Sequence, residues 1–107
     1  MQVEATEAYE LRGQKFEWNR GKNLSNIEKH GLTFKTAATA FFDPHAETYE
    51  DEEHSHDEER FILIGISESE RLLTVCHCYR GEDESTIRII SARKATRHEE
   101  KLYGGVF

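Results

Sequence analysis

The side chains whose types and spacing suit chemistry fall into two groups. The first is cationic and titratable. Arg88 and Arg93 flank the passage from a β-forming run to a helix start within Ile87–Glu100, and a guanidinium presents a planar fork of donors that matches phosphate or carboxylate oxygens in pairs. His30, beside Lys29, is of the one type that ordinarily changes charge near neutrality. The second group is Cys76-His77-Cys78 with His54-x-His56, the residue types of a zinc site. On a strand Cys76 and Cys78 share one face while His77 takes the other, so the triplet supplies at most two converging ligands. The paired histidines sit among acids that attract any cation only weakly. Buried free cysteines on a sheet face account for the pair more simply, and no metal or cofactor is expected. There is no phosphate-cradling glycine loop, nucleophile elbow or HExxH motif.

The elements that must position these groups follow from periodicity and capping. Ile87 and Ile89 point to one side of an extended segment and Arg88 to the other. Thr96 and Glu99 have the spacing of a capping box, which starts the last helix at Arg97, takes the chain out of its strand near Ala92 and leaves Arg93 and Lys94 in the connection. Upstream, Phe16-Glu17-Trp18 reads as a short strand. Asn19 caps a helix with Leu24 and Ile27 as its core stripe, and Gly31 ends it. Thr33 caps a second helix with Phe34, Ala37, Ala38 and Phe41 in register, stopped by Asp43-Pro44. Ala46–Tyr49 forms an edge strand leading into Glu50–Glu59, a segment too charged to pack and expected to be mobile. Phe61–Ile66, Leu72–Tyr79 and Thr86–Ile90 are β-rich runs with short polar connections, which favours antiparallel pairing. The expected fold is α+β, with two N-terminal helices and a C-terminal helix packed on an antiparallel sheet of three to four strands and one sheet face left available. Residues 1–15 are expected to be a flexible extension, and 16–107 a single domain.

Charge distribution narrows the partners. The 107 residues suffice for one core, and 36% hydrophobic against 33% charged residues makes that core thin. The net charge of −7 is concentrated: eight acids and no Lys or Arg lie between Glu47 and Glu59, leaving the rest of the chain at +1. Arg88–Lys101 holds five Lys or Arg against two Glu, so the C-terminal quarter is locally basic. Cys76 and Cys78 are too close in sequence for a framework disulfide, which fits a reducing compartment. Neither a membrane span of roughly 20 apolar residues nor a signal peptide is legible, and a soluble cytoplasmic domain is expected.

The motif series carries a resemblance. Phe16-Glu17-Trp18, Asn26-x-x-Lys29-His30-Gly31, Phe34 with Phe41-Phe42-Asp43-Pro44, Arg60 leading to Gly65-x-Ser67, Arg71-x-Leu73-x-Val75, and Ile89-Ile90-Ser91-Ala92-Arg93-Lys94-Ala95-Thr96-x-x-Glu99 closing at Tyr103 together resemble the BrnT toxin family over about residues 16–103. The resemblance implies a RelE-like fold and an RNA-cleaving toxin of a type II toxin–antitoxin pair that blocks translation. It also implies a BrnA-type antitoxin partner that binds operator DNA, which the toxin reaches only through that partner, with a homodimer or a toxin–antitoxin heterotetramer as possible assemblies.

Metal-free RNA cleavage needs the 2′-hydroxyl activated, the phosphorane charge stabilised and the leaving oxygen protonated. The candidates are Arg88, Arg93, Lys29, His30, Arg60, Arg71 and Tyr103, each with a structural alternative. Arg88 serves as a phosphate clamp or as a solvated outward arginine. Arg93 serves as a second cation or pairs with Glu99. Arg60 and Arg71 begin β-runs, where rim charges are common. His30 can cap its helix, with Asn26 one turn earlier as a hydrogen-bond partner, and Tyr103 can close a helix against the sheet. The extension and the acidic segment depart from the family pattern by adding negative charge, which favours a second reading: a degenerate, non-catalytic toxin acting as an antitoxin-binding corepressor.

Overall fold

In the computed structural model, which describes residues 4–104, the β-forming runs join into one six-stranded sheet. The strands are β1 (Thr6–Leu11), β2 (Gln14–Asn19), β3 (Glu47–Glu50), β4 (Phe61–Ile66), β5 (Leu72–Arg80) and β6 (Thr86–Lys94), and the helices are α1 (Arg20–His30), α2 (Phe34–Thr39) and α3 (Arg97–Leu102). The sheet order is β1-β2-β6-β5-β4-β3. All neighbours are antiparallel except β2 and β6, so the architecture is α+β as expected but the sheet is mixed and larger than three or four strands. The parallel pair arises because everything from α1 to β5 intervenes between its members, a connection long enough to return the chain in the same direction.

The sixth strand comes from the segment expected to be a flexible extension. Arg12 and Gly13 both adopt positive φ, 51° and 83°, the geometry of a two-residue turn whose twist matches antiparallel strands. Thr6–Leu11 therefore folds back on β2, with Tyr9 opposite Phe16 and Glu7 opposite Trp18, and the Glu7 carboxylate accepts the Trp18 indole N–H at 2.8 Å.

The main core lies on one sheet face, under α1 and α2. Phe16, Trp18, Leu73, Val75, Ile87, Ile89 and Ala92 meet Leu32, Phe34, Ala37 and Ala38. Trp18 packs edge-on to Phe34 and Phe16 edge-on to Phe41. Asn19, Gly31 and Thr33 cap their helices as their types dictate. The apolar stripe of α1 does not face this core, however: Leu24 and Ile27 are 47% and 38% exposed. The buried residue of α1 is Asn26. β2 stops pairing with β6 at Trp18–Ile89, and beyond that point the Asn26 side chain takes the Ala92 N–H at 3.0 Å while donating to the Leu32 carbonyl at 3.0 Å. α1 thus meets the sheet through the hydrogen-bonding needs of an uncovered strand edge.

The capping box at Thr96 and Glu99 starts α3 at Arg97, as its spacing requires. α3 lies across the opposite sheet face, where Ile64 and Leu72 meet Ala95 and Tyr103 in a second small core flanked by Ile66 and Leu102. It covers one end of that face. Among the described residues, the remainder carries no α-helix.

Candidate functional site

β6 runs on to Lys94, so Arg93 and Lys94 belong to the strand and not to a connection. In a regular strand Arg88 and Arg93, five residues apart, point to opposite faces. The register slips opposite Cys76 and His77, however, where Cys76 pairs with Ser91 and His77 with Ile89. Arg88 then sits opposite Cys78, and Arg93 opposite Thr74. One extra residue resets the alternation and brings both arginines to the face away from α1 and α2, a recurrent use of a β-bulge beside a working surface. The same face takes Thr74, Cys76, Cys78 and Arg80 from β5 and Ile62 from β4. His77 goes to the core side, wedged between Phe41, Phe61 and Tyr79, so Cys76-His77-Cys78 divides between the faces as the sequence requires.

A concave pocket of ≈ 260 Å³ opens on this face beside β3, with Arg60, Arg93, Thr74, Cys76, Ser91, Asp51 and His54 on its walls. Arg93 is held by Glu99 through two bonds, 2.7 Å and 2.9 Å. Glu99 also accepts the Thr74 hydroxyl at 2.8 Å and the Thr96 N–H at 2.9 Å. Led by Arg93, these donors lower its pKa to about 2 against the burial that opposes them. The carboxylate is well supplied with donors and ionised at neutral pH, and it fixes the direction of the guanidinium.

Arg60 enters just before β4, and its Nε has no hydrogen-bond partner among the described residues; the nearest carboxylate, on Glu58, lies 3.7 Å away. Glu58 is committed to Arg80, whose hydrogen bond lowers its pKa. Arg88 reaches across to Glu17 of β2 at 2.5 Å. Burial pushes the Cys76 thiol up, with the Asp51 charge adding to it, so the thiol stays protonated and is a poor nucleophile.

Arg60, Arg88 and Arg93 therefore share one surface, and the other four candidates lie elsewhere. Lys29 and His30 are exposed at the end of α1, on the helical side. Asn26 is engaged with Leu32 and Ala92 rather than with His30. Arg71 is exposed in the β4–β5 turn, where its carbonyl accepts the Ser67 N–H. Tyr103 is buried in the second core and donates to Asp43 at 2.5 Å. Burial foremost, then that carboxylate, pushes its phenol up to about 12.

The acidic segment departs most from expectation. Rather than hanging free, residues 51–60 close into a pinned turn. The Asp51 N–H donates to the Arg60 carbonyl at 2.8 Å, and the Ser55 hydroxyl donates to the Asp51 carbonyl at 2.7 Å while accepting the Arg60 N–H at 2.9 Å. Glu52–His54 forms a single 3-10 turn that sets His54 Nδ1 2.9 Å from the Asp51 carboxylate. His54-x-His56 has the look of a metal-ligand pair in sequence, which hides the pairing of His54 with Asp51. The signal was the Asp51-x-x-His54 spacing, which one tight turn brings together. Among the described residues no group of three or more His, Cys, Asp or Glu is placed to hold a metal ion, and no helix is long and apolar enough to cross a membrane.

No curated protein matches the chain. A family model for the ribonuclease toxin, BrnT, of type II toxin–antitoxin systems matches residues 18–99, a span that runs from Trp18 in the main core to Glu99 and takes in the pocket together with Arg60, Arg88 and Arg93. The chain belongs to the BrnT family of ribonuclease toxins of type II toxin–antitoxin systems.

Proposed function

We propose that the protein is a metal-independent endoribonuclease of the cytoplasm that stops translation and is neutralised by a BrnA-type antitoxin, through which alone it reaches operator DNA. The observation that carries this reading is that Arg60, Arg88 and Arg93 share one sheet face, the last two aligned by the β6 bulge. In this reading an RNA strand lies across that face. Arg93, preset by Glu99, and Arg60, through the outer nitrogens of a guanidinium whose Nε is buried, take the non-bridging oxygens of the scissile phosphate and stabilise the charge that builds on them as the 2′-oxygen attacks. Arg88 binds a flanking phosphate when Glu17 releases it. The antitoxin neutralises the toxin by covering this face.

The test is cleavage of RNA by the purified chain in EDTA. The expected outcome is cleavage that persists without divalent metal and falls on R93A and R60A, with a loss on the order of 10²-fold for a preorganised donor to the transition state. Cleavage that requires added metal, or variants as active as the parent, overturns the proposal. The corepressor reading is favoured by one specific observation: Arg88, Arg93 and Arg80 are each already bound to a glutamate. It predicts an unchanged growth rate and intact bulk RNA on expression, with the antitoxin still co-purifying.

A further inference from the structure

We propose that His54 is the proton-transfer residue of the pocket and Asp51 its positioning residue, so that the acidic turn between β3 and β4 supplies the base for cleavage. The inference rests on the ribonuclease reading above and adds a group that the arginines cannot replace, since a guanidinium remains protonated and accepts nothing. His54 and Asp51 line the same pocket as Arg60 and Arg93. Donation of the Nδ1 proton to the Asp51 carboxylate, 2.9 Å away, places the Nε2 lone pair at the outer end of the ring, the tautomer a general base requires.

Three features make this pair more than a surface contact. Asp51 is largely enclosed, its side chain 16% exposed, while the His54 side chain is 57% exposed, so the orienting acid is held and the working ring reaches solvent and substrate. The backbone of Asp51 is bonded to Arg60 directly and through Ser55, so base and phosphate-binding cation ride on one closed turn. The charged and titratable groups that face the ring across the pocket are Arg60, Arg93 and Cys76, with Glu52 and Glu53 beside it on its own turn. With Cys76 a neutral thiol, the two cations stand ready for a phosphate and the one imidazole for a proton.

His54 Nε2 takes the 2′-hydroxyl proton as the 2′-oxygen bonds to phosphorus. The bond from phosphorus to the 5′-oxygen breaks, that oxygen takes a proton from water, and the imidazolium returns its own to the resulting hydroxide. RNA is converted to a 2′,3′-cyclic phosphate end and a 5′-hydroxyl end with no further reactant.

The test uses the full chain, an end-labelled RNA and EDTA. His54→Gln is expected to lower kcat by about 100-fold or more, the range of a lost general base, with thermal unfolding unchanged. His54→Gly is expected to regain activity on addition of free imidazole, a response that a merely misfolded variant does not give. Asp51→Asn is expected to lower kcat while leaving KM unchanged. A parent chain that cleaves while His54→Gln keeps its kcat overturns this inference and leaves the ribonuclease reading standing. A product carrying a 5′-phosphate overturns it as well, because water is then the nucleophile. A parent chain that cleaves no RNA overturns both.

Discussion

Glu99 shows how one side chain serves fold and site together. It completes the capping box of α3, accepts the Thr74 hydroxyl and forks to Arg93, and its pKa is lowered from 4.5 to about 2. A carboxylate held that far down stabilises the fold fully above its unfolded value and loses the contribution as pH falls toward 2. Allowing for the solvent around Arg93, the contribution is on the order of 2 kcal/mol. Glu99→Gln is therefore expected to flatten the acid limb of stability measured by urea unfolding between pH 5 and 2, and to weaken RNA cleavage by releasing Arg93. His77 acts in the other range. Burial lowers its pKa from 6.5 against the modest pull of the Val75 carbonyl, so the folded state refuses a proton that the unfolded chain accepts. Stability is full above 6.5 and declines as pH drops below it; His77→Phe is expected to remove that slope in the same unfolding measurement. The Thr96–Glu99 box was legible from spacing, and so was the division of His77 from Cys76 and Cys78 between the two faces, but not that His77 takes the core side. The working partner of His54 was not, because a turn that joins residues three apart is indistinguishable in sequence from a run of solvated acids.

At the scale of elements, local chemistry was readable and tertiary partnership was not. Asn19, Gly31, Thr33 and Thr96 cap as residue type demands, since a cap satisfies backbone groups within its own turn. Leu24 and Ile27, by contrast, have core spacing and lie exposed, because α1 is anchored at the β6 edge through Asn26. Asn26→Ala leaves the Ala92 N–H and the Leu32 carbonyl without their partner, at a cost of about 1–3 kcal/mol for each group stranded away from water. The expected outcome is a lower urea midpoint with an unchanged slope. The bulge in β6 was equally hidden. Nothing in Ile87-Arg88-Ile89-Ile90-Ser91 announces which residue is extra, and the spacing of Arg88 and Arg93 argues for opposite faces until the partner strand sets the register. The extent of the sheet was underread for the same reason. Thr6–Leu11 is a strand only because Arg12-Gly13 turns it onto β2.

For the whole molecule, charge governs how the open face meets a polyanion. The chain carries −7 overall, and the arginines of the face stand against Glu17, Glu58 and Glu99. With the proposed three arginines at the phosphates, RNA affinity is expected to depend logarithmically on salt with a slope of about −2. Fluorescence anisotropy of a labelled RNA across a salt series checks this, and Arg88→Ala is expected to make the slope shallower by less than one. A further consequence lies at the two rims of the sheet. β1 and β3 are its outermost strands, and they carry Glu7 and Glu10 on one side and Glu47 and Glu50 on the other. Strands that pair lie about 4.8 Å apart, so zipping one molecule's rim to another's crowds carboxylates into an unfavourable ladder. The acids that make the chain anionic are also gatekeepers against amyloid-like stacking of a sheet whose ends are not closed.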